Sequence, residues 1–413
     1  MREFPLFTHS MQTIKNQFPI FDARPGLVYL DSAATSLTPQ LVIDAVSSYY
    51  KTLSANVGRG LYATAEETTA GFEEVREKTA RFLGADSDEI VFTRNTTEAI
   101  NLLAYVLEDQ IEPGDNIVVT ALEHHSNFLP WKRLVEKRSA ELRIIPFRED
   151  GSINPEQIGK YVDLRTKIFA FSAISNVFGT PNPVVELVRA AKDADPNIMT
   201  VVDAAQAAGH SEIDVHAWNC DFLAFSGHKC FGPTGVGVLY GKQALLSTLP
   251  PYQVGGGMVT DAATEEPTYK DAPHRFEAGT PDIASVFGLG ATLDFVNSIG
   301  IDTIHEYESK LATKAVTALR ESFGNDIRIF GAQDTRHSGI VSFTLEGIHP
   351  HDIAQVLGER DICIRAGEHC AAPLHRVLSL PATARASFSV YNTKTDIDTL
   401  VEGLKNVVKL FKS

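Results

Sequence analysis

Two stretches, Ile198-Met-Thr-Val-Val-Asp-Ala-Ala-Gln206 and Asp221-Phe-Leu-Ala-Phe-Ser-Gly-His-Lys229, decide how this chain is read. Each is a short apolar run that breaks into polar residues. That is the pattern of a strand buried on both faces, with its functional groups at the C-terminal end. In open parallel α/β sheets, ligands bind outside that end. An acid (Asp203), an amide (Gln206), a hydroxyl (Ser226), an imidazole (His228) and an amine (Lys229) are therefore expected on one rim. A lysine at the end of a buried strand is costly unless something pairs or consumes its charge. Schiff-base formation with a carbonyl consumes it. Taken singly, Asp203 reads as a helix cap and Lys229 as a side chain reaching for solvent. Together, with Ser226-Gly-His228 directly before the lysine, they read as a reactive pair.

Length and composition narrow the class. The chain has 413 residues, more than one ordinary core and enough for two domains. Its 44% hydrophobic and 22% charged content are those of a globular protein. A net charge of −15 argues against nucleic acid as a main partner. No apolar stretch reaches membrane-spanning length. Met1–Ser10 lacks the apolar core of a signal peptide, and is not Arg- and Ser-rich like a transit peptide. Four cysteines without a Cys-x-x-Cys do not make a disulfide framework. A reducing cytoplasm is the expected setting, where a lone cysteine can serve as a nucleophile.

The strand-then-polar-turn unit recurs along the chain. Leu27–Leu30 runs into Asp31-Ser-Ala-Ala-Thr35, a turn small enough for close approach to a ligand. A helix burying Phe72, Val75, Thr79, Phe82 and Leu83 follows and reads as scaffold. Glu89–Thr93 enters Arg94-Asn-Thr96-Thr97-Glu98, then a helix with Ile100, Leu103, Val106 and Leu107 inward. Hydroxyls at a helix start read either as an ordinary cap or as a phosphate seat made of free N–H groups. Asn116–Thr120 ends in Glu123-His124-His125-Ser-Asn127, and Lys167–Ala173 ends in Ser175-Asn176. Glycines at 255–257 precede Arg275-Phe-Glu-Ala-Gly-Thr280-Pro281.

Beyond about residue 296 the pattern changes to helices and strands in mixed order. Gly339–Leu345 alternates as a half-buried antiparallel strand should, and Thr393 with Asp396 forms a capping box for the last helix. Within this region lies Ile362-Cys363-Ile-Arg365-Ala-Gly-Glu368-His369-Cys370-Ala-Ala-Pro-Leu-His375. Cys363, between isoleucines, reads as core, and Cys220 and Cys230 as packing. Cys370 follows a glycine in a polar loop where a thiol can be exposed. A zinc site from Cys363, His369, Cys370 and His375 matches no common structural spacing, and no metal is expected. Arg385 sits in an apolar alternation that disfavours a surface salt bridge.

These strings resemble group II cysteine desulfurases, the SufS- and CsdA-like branch of class V within fold-type I pyridoxal phosphate enzymes. The likeness rests on Asp203-Ala-Ala-Gln206, Ser226-Gly-His-Lys229, Arg275–Pro281 and above all Arg365-Ala-Gly-x-His369-Cys370-Ala-x-Pro-Leu374. It implies an α/β fold: a large domain with a mostly parallel sheet flanked by helices, plus a smaller α+β C-terminal domain. Residues 1–27 would be an arm packed with the small domain, 28–295 the large domain, and 296–413 the small domain with the cysteine loop.

The resemblance also assigns roles. Lys229 would carry pyridoxal 5'-phosphate and Asp203 would hold its pyridine nitrogen protonated. His124 would stack on the ring and pass protons. Thr96, Thr97, Ser226 and His228 would hold the cofactor, and Asn176 would lie near the ring hydroxyl and substrate carboxylate with Gln206 beside it. Arg385 and Arg365 would bind the substrate. Thr280 would reach the phosphate of a neighbouring subunit, which implies a homodimer. Cys370, its pKa lowered by His369 and Arg365, would take sulfur from L-cysteine as a persulfide, leaving alanine. The implied pathway is iron-sulfur cluster assembly through a SufE- or SufU-like acceptor protein, with His351 of His349-Pro-His351-Asp352 as a docking residue. Two positions depart from the family pattern: Gly58, where a histidine is usual, and Glu368, where His or Gln is common. The alternatives are a selenocysteine lyase or aminotransferase of the same class, and a non-catalytic binding protein on the same fold.

Overall fold

The computed structural model describes residues 11–262, 266–331 and 338–412, so the first ten residues of the expected arm lie outside it. Two short helices, Met11–Lys15 and Ile20–Ala23, lead to strand β1 (Val28–Tyr29). The main sheet uses β2 (Ile90–Thr93), β3 (Asn116–Thr120), β4 (Glu141–Ile145), β5 (Thr166–Ser172), β6 (Met199–Asp203), β7 (Phe222–Ser226) and β8 (Gly237–Gly241). A small hairpin follows, β9 (Val259–Asp261) and β10 (Thr268–Tyr269). The second sheet is formed by β11 (Ile327–Phe330), β12 (Ile340–Leu345), β14 (Arg365–Gly367) and β15 (Thr383–Ser387), with β13 (Ile362–Cys363) just outside it.

The main sheet has seven strands in the order β2-β8-β7-β6-β5-β3-β4. All run parallel except β8, which is antiparallel to both neighbours. Its centre is buried on both faces, which is why its sequence lacks alternation. Val202 and Leu223 belong to one apolar cluster, and Val201, Phe222 and Ala224 to the other. The register sets Ser172 beside Asp203, Asp203 beside Ala224, and Ser226 and Thr93 on either side of Gly237. The polar ends of four strands thus reach one rim. Gly237 makes this closeness feasible: a Cβ there would lie 2.5 Å from the Asn95 backbone. A side chain at 237 would push away the start of the helix Thr96–Val106.

The second sheet has the order β11-β12-β15-β14 and is antiparallel throughout. The helices Ile301–Phe323, Pro350–Gly358 and Lys394–Phe411 pack with it, the last starting at the expected Thr393–Asp396 capping box. β12 differs from the half-buried strand its alternation suggests. Only Thr344 is partly exposed, because the polar side is also covered: Ser342 Oγ donates to the Val177 carbonyl of the main body.

The chain's beginning also departs from the expected division at residue 28. β1 pairs in parallel with β13, and Val28 and Leu30 join the apolar cluster of the second sheet. The arm touches both bodies, since Phe18 packs edge-on against Phe295 and Tyr391 and lies beside Phe231, just past the lysine strand. No single helix among the described residues is long and apolar enough to cross a membrane.

The loop carrying Thr280 is fixed by a buried ion pair. Arg76, from the helix Ala63–Leu83, meets both carboxylate oxygens of Glu277 at 2.7 and 2.9 Å, and the Phe92 N–H adds a third bond. Burial pushes the Glu277 pKa up, but the Arg76 charge and the hydrogen bonds outweigh it and bring it down to about 2. A carboxyl depressed on folding contributes stability above its unfolded value of about 4.5, and loses it as pH falls toward about 2. Glu277→Gln leaves Arg76 with only the more exposed Glu73 carboxylate, 2.8 Å from its Nε, and is expected to cost about 3 kcal/mol at pH 7. Denaturant titrations should show the gap to wild type narrowing between pH 4.5 and pH 2. A gap unchanged at pH 3 would remove the ion pair as its cause.

Candidate active site

The strand ends surround a cavity of about 360 Å³. Twelve of the thirteen residues singled out from the sequence line it: Lys229, Cys370, His124, Thr96, Thr97, Asn176, Asp203, Gln206, Ser226, His228, Arg365 and Arg385. Thr280 does not. It is exposed and accepts from Asn56 Nδ2 at 3.3 Å, away from this cavity.

Asp203 closes the floor. Its Oδ1 accepts the Ala205 N–H at 2.9 Å, and no described residue bonds its other oxygen. Burial raises its pKa, while the Ala205 bond and Lys229 pull the other way. A buried carboxylate with a free oxygen suits a cationic N–H partner. Lys229 lies on the short turn after β7, partly covered and opening on the same cavity. Burial lowers its pKa more than Asp203 raises it, with Arg385 pushing down as well. A lysine so lowered is more often neutral and nucleophilic, as carbonyl capture requires.

One wall is the start of the helix Thr96–Val106. Asn95 is the actual cap, accepting the Glu98 N–H at 2.9 Å, so the threonines are not spent on capping. Thr96 bonds Ser226 Oγ through both its N–H and its hydroxyl, and the Thr97 hydroxyl meets Ser126 Oγ at 2.7 Å. A helix start flanked by hydroxyls and an imidazole has the chemistry that suits an anion. His228 is held neutral, chiefly by burial, with a pKa near 4. His124 accepts the Ser126 N–H at Nδ1, so the neutral ring carries its proton on Nε2. Burial first, then Lys229, brings its pKa down to about 3. At neutral pH it offers an uncharged face to the cavity.

The opposite wall comes from the second sheet. Arg385 is buried, donates to Asp31 Oδ1 at 3.1 Å and to the Asn176 carbonyl at 2.9 Å, and finds no partner for its Nε among the described residues. The pair with Asp31 is not the surface salt bridge that the sequence pattern disfavours, since Arg385 is buried at the cavity wall. It orients the guanidinium and leaves donors over. Arg365 is its register partner on β14. Gln206 donates to the Ala33 carbonyl at 2.8 Å and pins the small-residue turn against the cavity.

Cys370 is exposed at the cavity edge. The expectation that His369 supplies positive charge to it fails. His369 is buried, its Nε2 faces Thr383 Oγ1 at 2.9 Å, and burial with Arg385 brings its pKa down to about 2. The imidazole is neutral. Arg385 is a permanent cation that interacts with Cys370. His375 also turns to Thr383, at 3.2 Å. Among the described residues no three His, Cys, Asp or Glu side chains gather as a metal site.

Several contributors escaped the sequence reading. Ser172 lines the cavity at the end of β5, four residues before Asn176. Glu123 is fully buried beneath the His124 turn, accepting from Thr120, Asn127 and both polar groups of Ser172. Burial raises its pKa to about 7 against the pull of those bonds. Asp31 and His125 were also missed as partners of the second body, and only a three-dimensional contact reveals either.

Residues 28–400 match the family model described as aminotransferase class-V, and the chain belongs to that family. A probable cysteine desulfurase of Streptomyces coelicolor is 44% identical, covering 97% of each chain. Among solved structures, a cysteine desulfurase from Thermococcus onnurineus NA1 superposes with a TM-score of 0.93 at 38% identity, covering 98% of this chain and 99% of that one. The cysteine desulfurase CsdA from Escherichia coli superposes with a TM-score of 0.89 at 36% identity, covering 98% and 100%.

Proposed function

We propose that this chain is a pyridoxal phosphate-dependent L-cysteine desulfurase that yields L-alanine and a persulfide on Cys370. One observation carries the reading: a lowered-pKa lysine, a buried carboxylate and an exposed thiol open on the same cavity. The residues fit the cofactor, since the unspent oxygen of Asp203 suits a ring N–H and the Thr96 helix start suits its phosphate. Thr96, Thr97, Ser226 and His228 would hold the phosphate, Asp203 the ring nitrogen, and Asn176 and Gln206 the ring edge, with His124 stacked above. Bound there, the cofactor would supply a carbonyl to hold the substrate amine and a ring to receive electrons from Cα.

The protein's own groups do the rest. Arg385, oriented by Asp31 and Asn176, holds the substrate carboxylate, with Arg365 beside it. Lys229 Nζ takes the proton from the substrate Cα. The Cys370 thiolate attacks the substrate sulfur. The bond from that sulfur to Cβ breaks, Cβ gains a proton, Lys229 Nζ returns a proton to Cα, and L-alanine leaves while the sulfur stays on Cys370. The experiment is to mix the loaded protein with L-cysteine and a reductant, and measure alanine and sulfide. A keto acid in place of alanine would favour an aminotransferase.

Thr280 lies outside its own chain's cavity, as a residue serving a neighbouring subunit would, and a homodimer is part of this reading. So are a cytoplasmic setting and delivery to a SufE- or SufU-like acceptor for iron-sulfur cluster assembly. His349 caps its helix by accepting the His351 N–H, which leaves His351 exposed for such a contact.

Asp203→Asn is expected to keep the cofactor bound yet slow loss of the Cα proton about 10- to 100-fold, since a neutral amide no longer favours the protonated ring. Deuterium exchange at the substrate Cα measures that step directly. Wild-type exchange in this variant would exclude the role.

A further inference from the structure

His124 and His125 are adjacent but serve different walls, their ring centroids 6.2 Å apart and their planes tilted by 47°. His124 belongs to the cavity. His125 reaches across to the cysteine loop at two points. Its N–H donates to the Cys370 carbonyl at 2.7 Å, and its Nε2 accepts the Ala372 N–H at 3.2 Å. Asn176 Nδ2 adds a third tether, donating to the His369 carbonyl at 2.8 Å. The segment so held has an unusual backbone. His369 and Cys370 lie consecutively in the left-handed region, with φ of +50° and +56°. For residues with a Cβ that region is unfavourable, and two in a row persist only where the surroundings hold them. Relaxation of either would swing the thiol away from the cavity.

We infer that His125 is a positioning residue for the reaction at Cys370. Its ring holds the strained turn through the Ala372 N–H, and so sets where the thiol stands relative to substrate sulfur. Because Nε2 accepts, the ring works as the neutral tautomer with its proton on Nδ1. Glutamine can mimic it, having an acceptor at nearly the same reach. Alanine cannot. The inference rests on the proposed desulfurase reading, with Cys370 as the sulfur-accepting thiol.

The test compares His125→Ala with His125→Gln in two assays. Hydrogen exchange on the cofactor-free protein reads the loop itself. The Ala372 amide should exchange about tenfold faster or more in the alanine variant, and near wild type in the glutamine variant. Single-turnover persulfide formation on Cys370 in the loaded enzyme reads the consequence. It should fall about tenfold or more with alanine, with KM for L-cysteine within about twofold, and recover with glutamine. Should the alanine variant lose its far-UV signal, His125→Asn, polar but too short to reach Ala372, replaces it under the same criteria. Unchanged Ala372 exchange, or wild-type persulfide formation in the truncated variant, would overturn the inference. If wild type itself forms no persulfide from cysteine, the desulfurase reading fails, and the exchange result alone decides the tether.

Discussion

With Cys370 replaced by serine, alanine release from L-cysteine is expected to fall to background, a loss of about a thousandfold or more, because a hydroxyl does not accept sulfur. The variant should still bind cofactor and still exchange the substrate Cα proton, since Lys229, Asp203 and the helix start are untouched. Mass spectrometry of the wild type after cysteine should place one added sulfur on the peptide containing Cys370. The other thiols are poor competitors. Cys220 and Cys230 are buried, which pushes both up to about 12, and Cys363 is half-buried with its pKa raised by the same cause. Sulfur found on any of these three, or full activity in the serine variant, would overturn the assignment. A selenocysteine lyase would separate here, since selenium leaves more readily than sulfur and needs the thiol less.

Lys229→Ala is expected to abolish turnover, by at least about a thousandfold, because it removes both the amine that captures a carbonyl and the base that takes the Cα proton. Among the described residues no other lysine lines the cavity. The remaining cations there, Arg94, Arg365 and Arg385, do not give up a proton at working pH and cannot substitute. The helix start is untouched, so the cofactor should still bind, but its visible absorption should match the free aldehyde rather than the lysine-linked form. Desulfuration of cysteine at the normal rate would show that the lysine is misassigned.

The main sheet was legible because strands buried on both faces leave a simple signature, an apolar run cut short by polar residues. Asp203, Ser226 and Lys229 follow from that rule, and the cavity that all three line adds that they meet. Where the reading missed or misjudged, the cause lay in contacts between the two bodies. β12 alternates in sequence yet is covered on both faces, because Ser342 meets Val177 across the seam. Arg385 reads as off the surface, as it is, but its partner Asp31 is far away in the chain and could not be named. His369 reads as a charge next to Cys370, yet its surroundings keep it neutral. Motif adjacency says which residues are neighbours in the chain. It does not say which way a ring turns, and that is why His125 passed unnoticed beside His124.

The pairing of β1 with β13 bears on how the chain is made. A chain grows from its first residue, so Val28 is finished long before its partner Ile362 exists. Until then Val28 and Leu30 have no core to enter, because the cluster that takes them is assembled from residues of the second sheet and its helices. The main sheet has no such wait, its last strand being complete at Gly241. Synthesis therefore imposes an order: the larger body can close first, and the opening strand is stitched in last. A fragment stopping short of Ile362 would strand its own beginning, and one starting after β1 would leave β13 without its neighbour.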